Sequence, residues 1–165
     1  MAGDWVLGIE STAHTFSFGL VDGDGKPRPS ASDTIRPTEG GIHPREAADH
    51  HSDNASRLLQ GLLSTHSLSM NNLVGVAYSQ GPGLGPCLRV GASVARAIAT
   101  ARNVPLIGVN HCVAHLEIGL LEGATDPVLL YLSGANTHGN NFITDALNKG
   151  AKFIAYSLLA SINEV

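Results

Sequence analysis

The first apolar positions of the chain predict two neighbouring strands joined by a polar turn. Residues 5–9 are apolar apart from one glycine, and residues 10–15 are polar or small. Phe16, Phe18 and Leu20 then alternate with small or polar residues, and this period of two is typical of a strand with one buried face. We therefore expect the chain to open on a β-hairpin whose tip is rich in hydroxyl groups.

Helical and strand patterns alternate along the following residues. Prolines recur between residues 26 and 44, and we expect that stretch to be irregular. Leucines and alanines at helical spacing predict a helix from Arg45 to about Ser64, which Pro44 is well placed to begin. The further predicted elements are a strand over 73–79, a glycine-rich loop over 81–86, a helix over 89–102, a strand over 104–109, a helix over 111–120 and a strand over 128–132.

This alternation of strands and helices is typical of an α/β layered domain. A chain of 165 residues fits one domain and can bury about two-thirds of the surface that its unfolded form exposes. With 43% hydrophobic and 15% charged residues, the composition is that of a globular protein. The 19 glycines exceed the usual share of about 7% and favour binding sites lined by the backbone.

Charge, cysteine content and hydropathy narrow the function classes. The formal net charge is −4, so no basic field indicates nucleic-acid binding by this chain alone, although partner subunits can supply such a surface. The two cysteines form no CxxC pair, which favours a reducing compartment. Neither a signal-peptide pattern nor an apolar window of ~18 residues is present. We expect a cytoplasmic protein with no membrane segment, or a nuclear one in a eukaryote.

Three loops that follow predicted strands carry small, polar or glycine residues. They span residues 10–15, 80–86 and 133–137. Ligands of open α/β sheets bind at the carboxyl ends of the strands, where we expect all three loops to lie. The Ser133-Gly134 segment can offer backbone N–H groups and a hydroxyl to a phosphate, although it is not a Walker sequence. An ordinary turn is the alternative for any one of these loops.

Two histidines four residues apart, His111 and His115, give the most informative chemical pattern. On a helix they lie on one face, and two imidazoles that converge from a rigid helix commonly begin a metal site. The spacing leaves open the alternative that one histidine caps the helix and the other is buried in a core. Tyr131 also has two interpretations. It is a third metal ligand if its loop shares a cleft with the histidines, and otherwise it is an ordinary half-buried tyrosine.

The segment from Gly40 to His51 forms a second polar cluster. It places three histidines, two acidic residues and an arginine at the start of a predicted helix. In one interpretation the cluster is a polar wall of the same cleft. In the other it is a solvated first helical turn in which Glu46 faces the positive end of the helix dipole.

Five ordered motifs of the chain resemble one family. They are Gly8–Thr15, Gly40–His51, Ser79–Arg89, Gly108–His115 and Asp126–Thr137. Together they are similar to the motifs of the universal tRNA N6-adenosine threonylcarbamoyltransferases, whose older label is O-sialoglycoprotein endopeptidase. The Ala-His-Thr end of the first motif and the Gly-Gly-Ile-His-Pro-Arg-Glu segment resemble the archaeal and eukaryotic branch. The resemblance covers residues 5–137.

The resemblance implies a fold, a reaction and a set of partners. The implied fold is an actin-like ATPase lobe of the sugar kinase and Hsp70 type, which pairs with a second α/β lobe around a nucleotide. The implied reaction transfers the threonylcarbamoyl group from threonylcarbamoyl-adenylate to N6 of the adenosine beside the tRNA anticodon. The implied partners are tRNA and the subunits of a KEOPS complex, namely a small kinase and two accessory proteins.

The matching positions also imply site residues. By the resemblance, one iron or zinc ion is held by His111, His115 and Tyr131. Glu10 and Ser11 match the first phosphate-side loop and are the expected catalytic residues. The residues that match the loop for ATP or threonylcarbamoyl-adenylate are Tyr131, Leu132, Ser133, Gly134 and Ala135.

Two departures from the family pattern bear on activity. Ala135 stands where the family has the second glycine of Ser-Gly-Gly-Asn-Thr, and a methyl group costs about 1 kcal/mol where the backbone needs a positive φ. Residues 138–165 match nothing in the family, whose fourth metal ligand is an aspartate of the second lobe. We therefore expect a first lobe over residues 1–137, a divergent tail over 138–165 and low activity of this chain alone.

Two other functions stay open at this stage. A zinc metalloprotease of the glycoprotease type needs a glutamate directly after its first histidine, but Cys112 follows His111. A non-catalytic lobe is the other alternative. It would bind a partner, or form a homodimer, through surface that a second lobe would otherwise cover, and removal of the apolar tail over residues 153–162 would distinguish an interaction segment from a part of the core.

Overall fold

The computed structural model describes residues 4–37 and 39–121. The chain divides into two units, one that ends at His111 and one that begins at Cys112. The described elements, in chain order, are β1 (Trp5–Glu10), β2 (Thr15–Asp22), β3 (Pro27–Thr34), α1 (Pro44–Thr65), a short 3₁₀ helix (Met70–Asn72), β4 (Leu73–Gly81), α2 (Gly85–Arg102), β5 (Leu106–Asn110) and α3 (His111–Leu121).

The strands of the first unit form one mixed sheet in the order β3-β2-β1-β4-β5. β1 is antiparallel to β2, which is antiparallel to β3, and β1 is parallel to β4, which is parallel to β5. Because β1 and β4 are parallel neighbours, the loops that follow them leave the same edge of the sheet. The predicted α/β class, the opening hairpin and the shared edge of loops 10–15 and 80–86 are therefore confirmed.

The core lies between the sheet and the two long helices. Leu7 in β1 and Phe16 and Phe18 in β2 are fully buried, with the period of two that the sequence predicts. α1 packs against β2 and β3, α2 packs chiefly against β4, and the two helices pack against each other. Each fully buried Leu or Phe side chain contributes about 1.5–3 kcal/mol of hydrophobic free energy. The sheet edge that carries the loops is therefore fixed by a continuous core.

Two sequence predictions about this unit are wrong. Residues 27–34 form the strand β3 rather than an irregular stretch. Its prolines are tolerated because β3 lies at the edge of the sheet, where β2 is its one neighbour among the described strands. The second helix begins at Gly85 and not at Arg89, since Pro86 fits the first helical turn, where a backbone N–H has no partner within the helix.

Other predictions are confirmed or lie outside the described residues. α1 begins at Pro44 as expected, and α3 follows β5 directly and carries both His111 and His115. The strand predicted over 128–132, the loop over 133–137 and the tail over 138–165 lie outside the described residues. The domain boundary at residue 137 stays a prediction. Among the helices that the structure describes, none is long and apolar enough to cross a membrane.

Candidate functional site

The candidate site is built around the loop between β1 and β2, which continues from Glu10 to Thr15. The loop is tied to the end of β4, because the Ser11 amide donates to Ser79 Oγ at 3.1 Å. It is also tied to the loop that precedes α2, because the Leu84 amide donates to the Thr12 carbonyl at 2.7 Å. The loops over residues 10–15 and 80–86, which the sequence predicts at one edge of the sheet, are therefore joined to each other by hydrogen bonds.

Two glycines allow this close approach. A Cβ atom on Gly83 would lie 2.6 Å from the Thr12 carbonyl oxygen and 2.9 Å from Thr12 Cα. A Cβ atom on Gly91, inside α2, would lie 2.0 Å from Ser11 Oγ. All three distances are far shorter than van der Waals contact, so any side chain at these positions would displace the loop. Glycine at these two positions thus leaves the space that the first loop occupies.

Glu10 connects the loop to the start of α3. Its Oε1 accepts from the Thr12 amide at 2.6 Å, and its Oε2 is 3.0 Å from His111 Nδ1. The His111 side chain is 12% exposed and that of Glu10 is 35% exposed. Two residues that the sequence assigns to different roles, one catalytic and one metal-binding, are therefore in direct contact.

This contact sets the chemistry that the pair can perform. A carboxylate accepts hydrogen bonds, so His111 donates from Nδ1 in this contact, and in the tautomer with its proton on Nδ1 the lone pair of the ring is on Nε2. Histidines that bind a metal almost always donate their other ring N–H to a carboxylate, carbonyl or water, which fixes their tautomer and orientation. The donor chemistry at His111 therefore fits a metal ligand that is oriented by Glu10.

The other predicted metal ligands are placed less completely. His115 lies one helical turn after His111 in α3, as the spacing predicts, and belongs to the second unit. Tyr131 lies outside the described residues. Over residues 4–37 and 39–121, no three His, Cys, Asp or Glu side chains are grouped as a metal would require. The metal site thus stays a prediction whose first member, His111, has a suitable environment.

Ser11, the second expected catalytic residue, is fully buried. Its hydroxyl lies against Gly91 in α2 and has no hydrogen-bond partner among the described atoms. Its amide is the group that anchors the loop to Ser79. The catalytic role of Ser11 stays a prediction, and in this conformation the hydroxyl contacts α2 rather than solvent.

The polar segment 40–51 divides into an exposed part and a buried part. His43 and Glu46 are exposed at the start of α1, which agrees with a solvated first turn. His51, one residue beyond His50, is fully buried, and its Nε2 is 2.9 Å from the Ala13 carbonyl oxygen. His50 Nε2 lies 3.2 Å from a carboxylate oxygen of Asp33. Neither interpretation of the segment accounts for the whole of it.

Sequence reasoning missed several residues that shape the loop. Ser79 is predicted at the end of a strand and at the start of a family motif, but neither prediction indicates that its hydroxyl accepts a hydrogen bond from the Ser11 amide. Gly91 interrupts an alanine-rich helix, and an isolated glycine inside a helix often has a packing reason, so this signal was available. The backbone contact of His51 carries no sequence signature, because it joins residues 38 positions apart.

Comparison with known proteins identifies relatives of the chain. The family model of TsaD, tRNA N6-adenosine threonylcarbamoyltransferase, matches residues 29–142. The chain is 50% identical over 131 residues to the tRNA N6-adenosine threonylcarbamoyltransferase of Thermococcus gammatolerans, covering 79% of the chain and 40% of that relative. It is 53% identical over 137 residues to the enzyme of the same name from Hyperthermus butylicus, covering 81% of the chain and 37% of the relative.

The chain is also similar to a bifunctional protein and to a solved structure. A probable bifunctional tRNA threonylcarbamoyladenosine biosynthesis protein from Methanosarcina barkeri is 46% identical over 141 residues, covering 83% of the chain and 26% of that protein. YeaZ from Pseudomonas aeruginosa superposes with a TM-score of 0.60 at 16% identity, over 81% of the chain and 55% of YeaZ. The YeaZ likeness supports the fold alone.

These matches cover most of this chain and a smaller share of each relative. The chain spans about 40% of the length of the first curated relatives that it matches. The three curated relatives named above are described as tRNA N6-adenosine threonylcarbamoyltransferases or as a threonylcarbamoyladenosine biosynthesis protein. The predicted actin-like lobe and the predicted family are confirmed, and the chain belongs to the tRNA N6-adenosine threonylcarbamoyltransferase family.

Proposed function

We propose that this chain forms one wall of the active site of a threonylcarbamoyl transferase that modifies tRNA. The reaction joins the carbamoyl carbon of threonylcarbamoyl-adenylate to N6 of the adenosine next to the anticodon, and AMP leaves with the electrons of the broken C–O bond. Family membership supports this reaction class. The contact of 3.0 Å between Glu10 and His111 is the observation that carries the proposal, because it joins the first loop to a predicted metal ligand.

In this proposal Glu10 positions His111 and does not itself react. Both carboxylate oxygens of Glu10 already accept hydrogen bonds, one from the Thr12 amide and one from His111. A carboxylate held in this way fixes the ring orientation of a histidine and raises its basicity as a ligand. Glu10 is therefore a positioning residue, and the loop amides around it shape the wall that faces the adenylate.

His111, with His115 and Tyr131, would hold one iron or zinc ion. When bound, the metal supplies positive charge that orients the adenylate and polarises the group being transferred. Imidazole and phenolate ligands suit both metals. The residues of this chain would hold the reacting groups in a fixed geometry. This matters because a small misplacement of reacting groups lowers the reaction rate strongly.

The adenylate or ATP would be bound by residues 131–135, as the family resemblance implies. Ala135, in place of a glycine, is expected to weaken that binding. The tRNA and the KEOPS-type subunits are further proposed partners, and the negative net charge of −4 agrees with a basic tRNA surface being supplied by a partner. The cytoplasm is the proposed location because it holds the tRNA pool.

A ligand-binding experiment tests this proposal. The full 165-residue chain is titrated with threonylcarbamoyl-adenylate in the presence and absence of Zn²⁺, together with the variants His111→Ala and His66→Ala. His66 is the control because it caps the C-terminal end of α1 and contacts Pro29. We expect Zn²⁺-dependent binding by the wild type and by His66→Ala, and binding about 10-fold or more weaker in His111→Ala.

Two outcomes would contradict the proposal. The first is that His111→Ala and the wild type bind the adenylate with equal affinity. The second is that the affinity for the adenylate is the same with and without Zn²⁺. Mass spectrometry of tRNA incubated with the adenylate adds a second readout. We expect slow formation of the modified adenosine by this chain alone, and rapid formation that persists in His111→Ala would assign the reaction to other residues.

A further inference from the structure

His51, a residue of α1, contacts the backbone of the loop between β1 and β2. It lies in the first half of α1, and its side chain is fully buried. Its Nε2 is 2.9 Å from the carbonyl oxygen of Ala13. Because a carbonyl oxygen only accepts hydrogen bonds, Nε2 carries the proton and donates it to Ala13. The tautomer of His51 is thus set by the backbone of the loop.

The surroundings of His51 keep the ring neutral. The ring packs against that of Phe16, with centroids 5.2 Å apart, and against that of His50 at 5.9 Å. Its Nδ1 is buried and has no hydrogen-bond partner in the part of the chain that the structure describes. Burial, more than any other factor, lowers the pKa of His51, since a proton on Nδ1 would be a buried donor without an acceptor.

The contact at Ala13 is one step from the Glu10–His111 pair. The residue before Ala13 is Thr12, whose amide donates to Glu10 Oε1 and whose carbonyl accepts from Leu84. The residue after it is His14, whose carbonyl accepts from the Ile35 amide at 3.0 Å. Ala13 is therefore the residue at which a side chain of α1 contacts the loop, between the hydrogen bond from Leu84 to Thr12 and the hydrogen bond from Ile35 to His14.

We propose that His51 is a positioning residue for the functional site. By donating to the Ala13 carbonyl it holds the loop in the shape in which Thr12 orients Glu10, and Glu10 in turn orients His111. This inference rests on the proposed function for its consequence, which is tighter binding of the metal at His111. Its structural half, the ordering of the loop, is independent of any ligand.

Three substitutions separate the hydrogen bond from packing. His51→Gln keeps a side-chain N–H at about the reach of Nε2, whereas His51→Leu fills much of the same volume without a donor. His51→Asn keeps the amide but is one methylene too short to reach Ala13. In the full chain we measure amide hydrogen exchange at residues 12–14 and the affinity for Co²⁺, with thermal unfolding as the check of folding.

The donor role predicts a definite order of the variants. We expect His51→Leu and His51→Asn to speed exchange at residues 12–14 by about 10-fold or more and to weaken Co²⁺ binding by about 10-fold, as changes in the outer shell of a metal site typically do. His51→Gln is expected to stay within about 3-fold of the wild type in both measurements. If His51→Leu fails to fold, the comparison of His51→Gln with His51→Asn carries the test.

Several outcomes would overturn the inference. Unchanged loop exchange in His51→Leu and His51→Asn would show that the contact does not hold the loop. Equal losses in His51→Gln and His51→Leu would show that ring packing, and not the hydrogen bond, is what matters. A wild-type chain that binds no Co²⁺ would count against the proposed function, while the exchange data would still decide whether His51 orders the loop.

Discussion

Gly91 gives the sharpest test of how the first loop is held. A Cβ atom at this position would lie 2.0 Å from Ser11 Oγ and 2.8 Å from Ser11 Cβ, and Ser11 is fully buried. The substitution Gly91→Ala must therefore move the loop or the helix. Overpacking of a buried contact typically costs about 1–3 kcal/mol of the free energy of unfolding.

A second glycine in a helix supplies the matched control. Gly61 lies inside α1, and a Cβ atom there would meet nothing within 4 Å. Replacing an exposed helical glycine by alanine stabilises a protein by about 0.5–1 kcal/mol through backbone entropy. The same gain applies to Gly91→Ala, so the difference between the two variants isolates the steric term. We expect Gly91→Ala to be about 1–3 kcal/mol less stable than Gly61→Ala.

Urea unfolding followed by tryptophan fluorescence measures this difference. The single tryptophan, Trp5, lies in β1 beside the core and reports on the unit that contains the loop. A double-mutant cycle with Ser11→Gly removes both atoms that clash, and we expect a coupling energy of about 1–3 kcal/mol. If Gly91→Ala is as stable as Gly61→Ala, or if the cycle shows no coupling, the close approach of α2 to Ser11 is refuted.

Three further predictions follow from the described contacts. Gly83→Ala should destabilise the chain more than Gly91→Ala in the same urea assay, because its Cβ meets the Thr12 backbone, and equal stability would contradict this. Burial lowers the pKa of His51 below its usual value of 6.5, although the hydrogen bond to the Ala13 carbonyl and the charge of Glu10 oppose this shift, and His50 and His14 add to it. The stability that neutral His51 contributes is therefore complete above about pH 6.5 and is lost as the pH falls through its lowered folded-state pKa, since the unfolded chain takes up a proton that the folded chain resists. The free energy of unfolding of the wild type should therefore exceed that of His51→Gln by less as the pH falls through this range. A difference that does not change with pH would refute the prediction. Burial also raises the pKa of the Cys87 thiol, so a Cys112→Ser chain should resist alkylation when folded and react fully in urea, and rapid labelling of the folded chain would contradict its burial.

The fold was largely predictable because its signals are local. The period of two in β2 and the helical spacing after Pro44 each lie within one element, and hydrophobic periodicity reports on such elements directly. β3 escaped prediction because Pro27 and Pro29 are strand breakers in general and are tolerated only at a sheet edge. Whether a strand is at the edge is a property of the whole sheet and not of its own residues.

The sequence suggests members of the candidate site, but it does not indicate the contacts between them. His111 and Glu10 were both singled out, but 101 positions separate them, and no pattern in the sequence indicates that they touch. The same holds for Ser79 and Ser11, which are 68 positions apart. The tertiary fold brings these side chains together and places Glu10 in contact with His111, while the catalytic role that the family resemblance implies for Glu10 stays a prediction.

The proposed function requires that Glu10 orient His111 as a ligand of the metal ion. Equilibrium dialysis with Zn²⁺, followed by elemental analysis, measures the affinity and the number of ions bound by the full chain. We predict one ion for each wild-type chain, loss of that ion in His111→Ala, and an affinity about 10–100-fold weaker in Glu10→Gln. The matched variant Glu39→Gln changes an exposed carboxylate and should bind as the wild type does. Equal Zn²⁺ affinity in Glu10→Gln and Glu39→Gln would contradict the account.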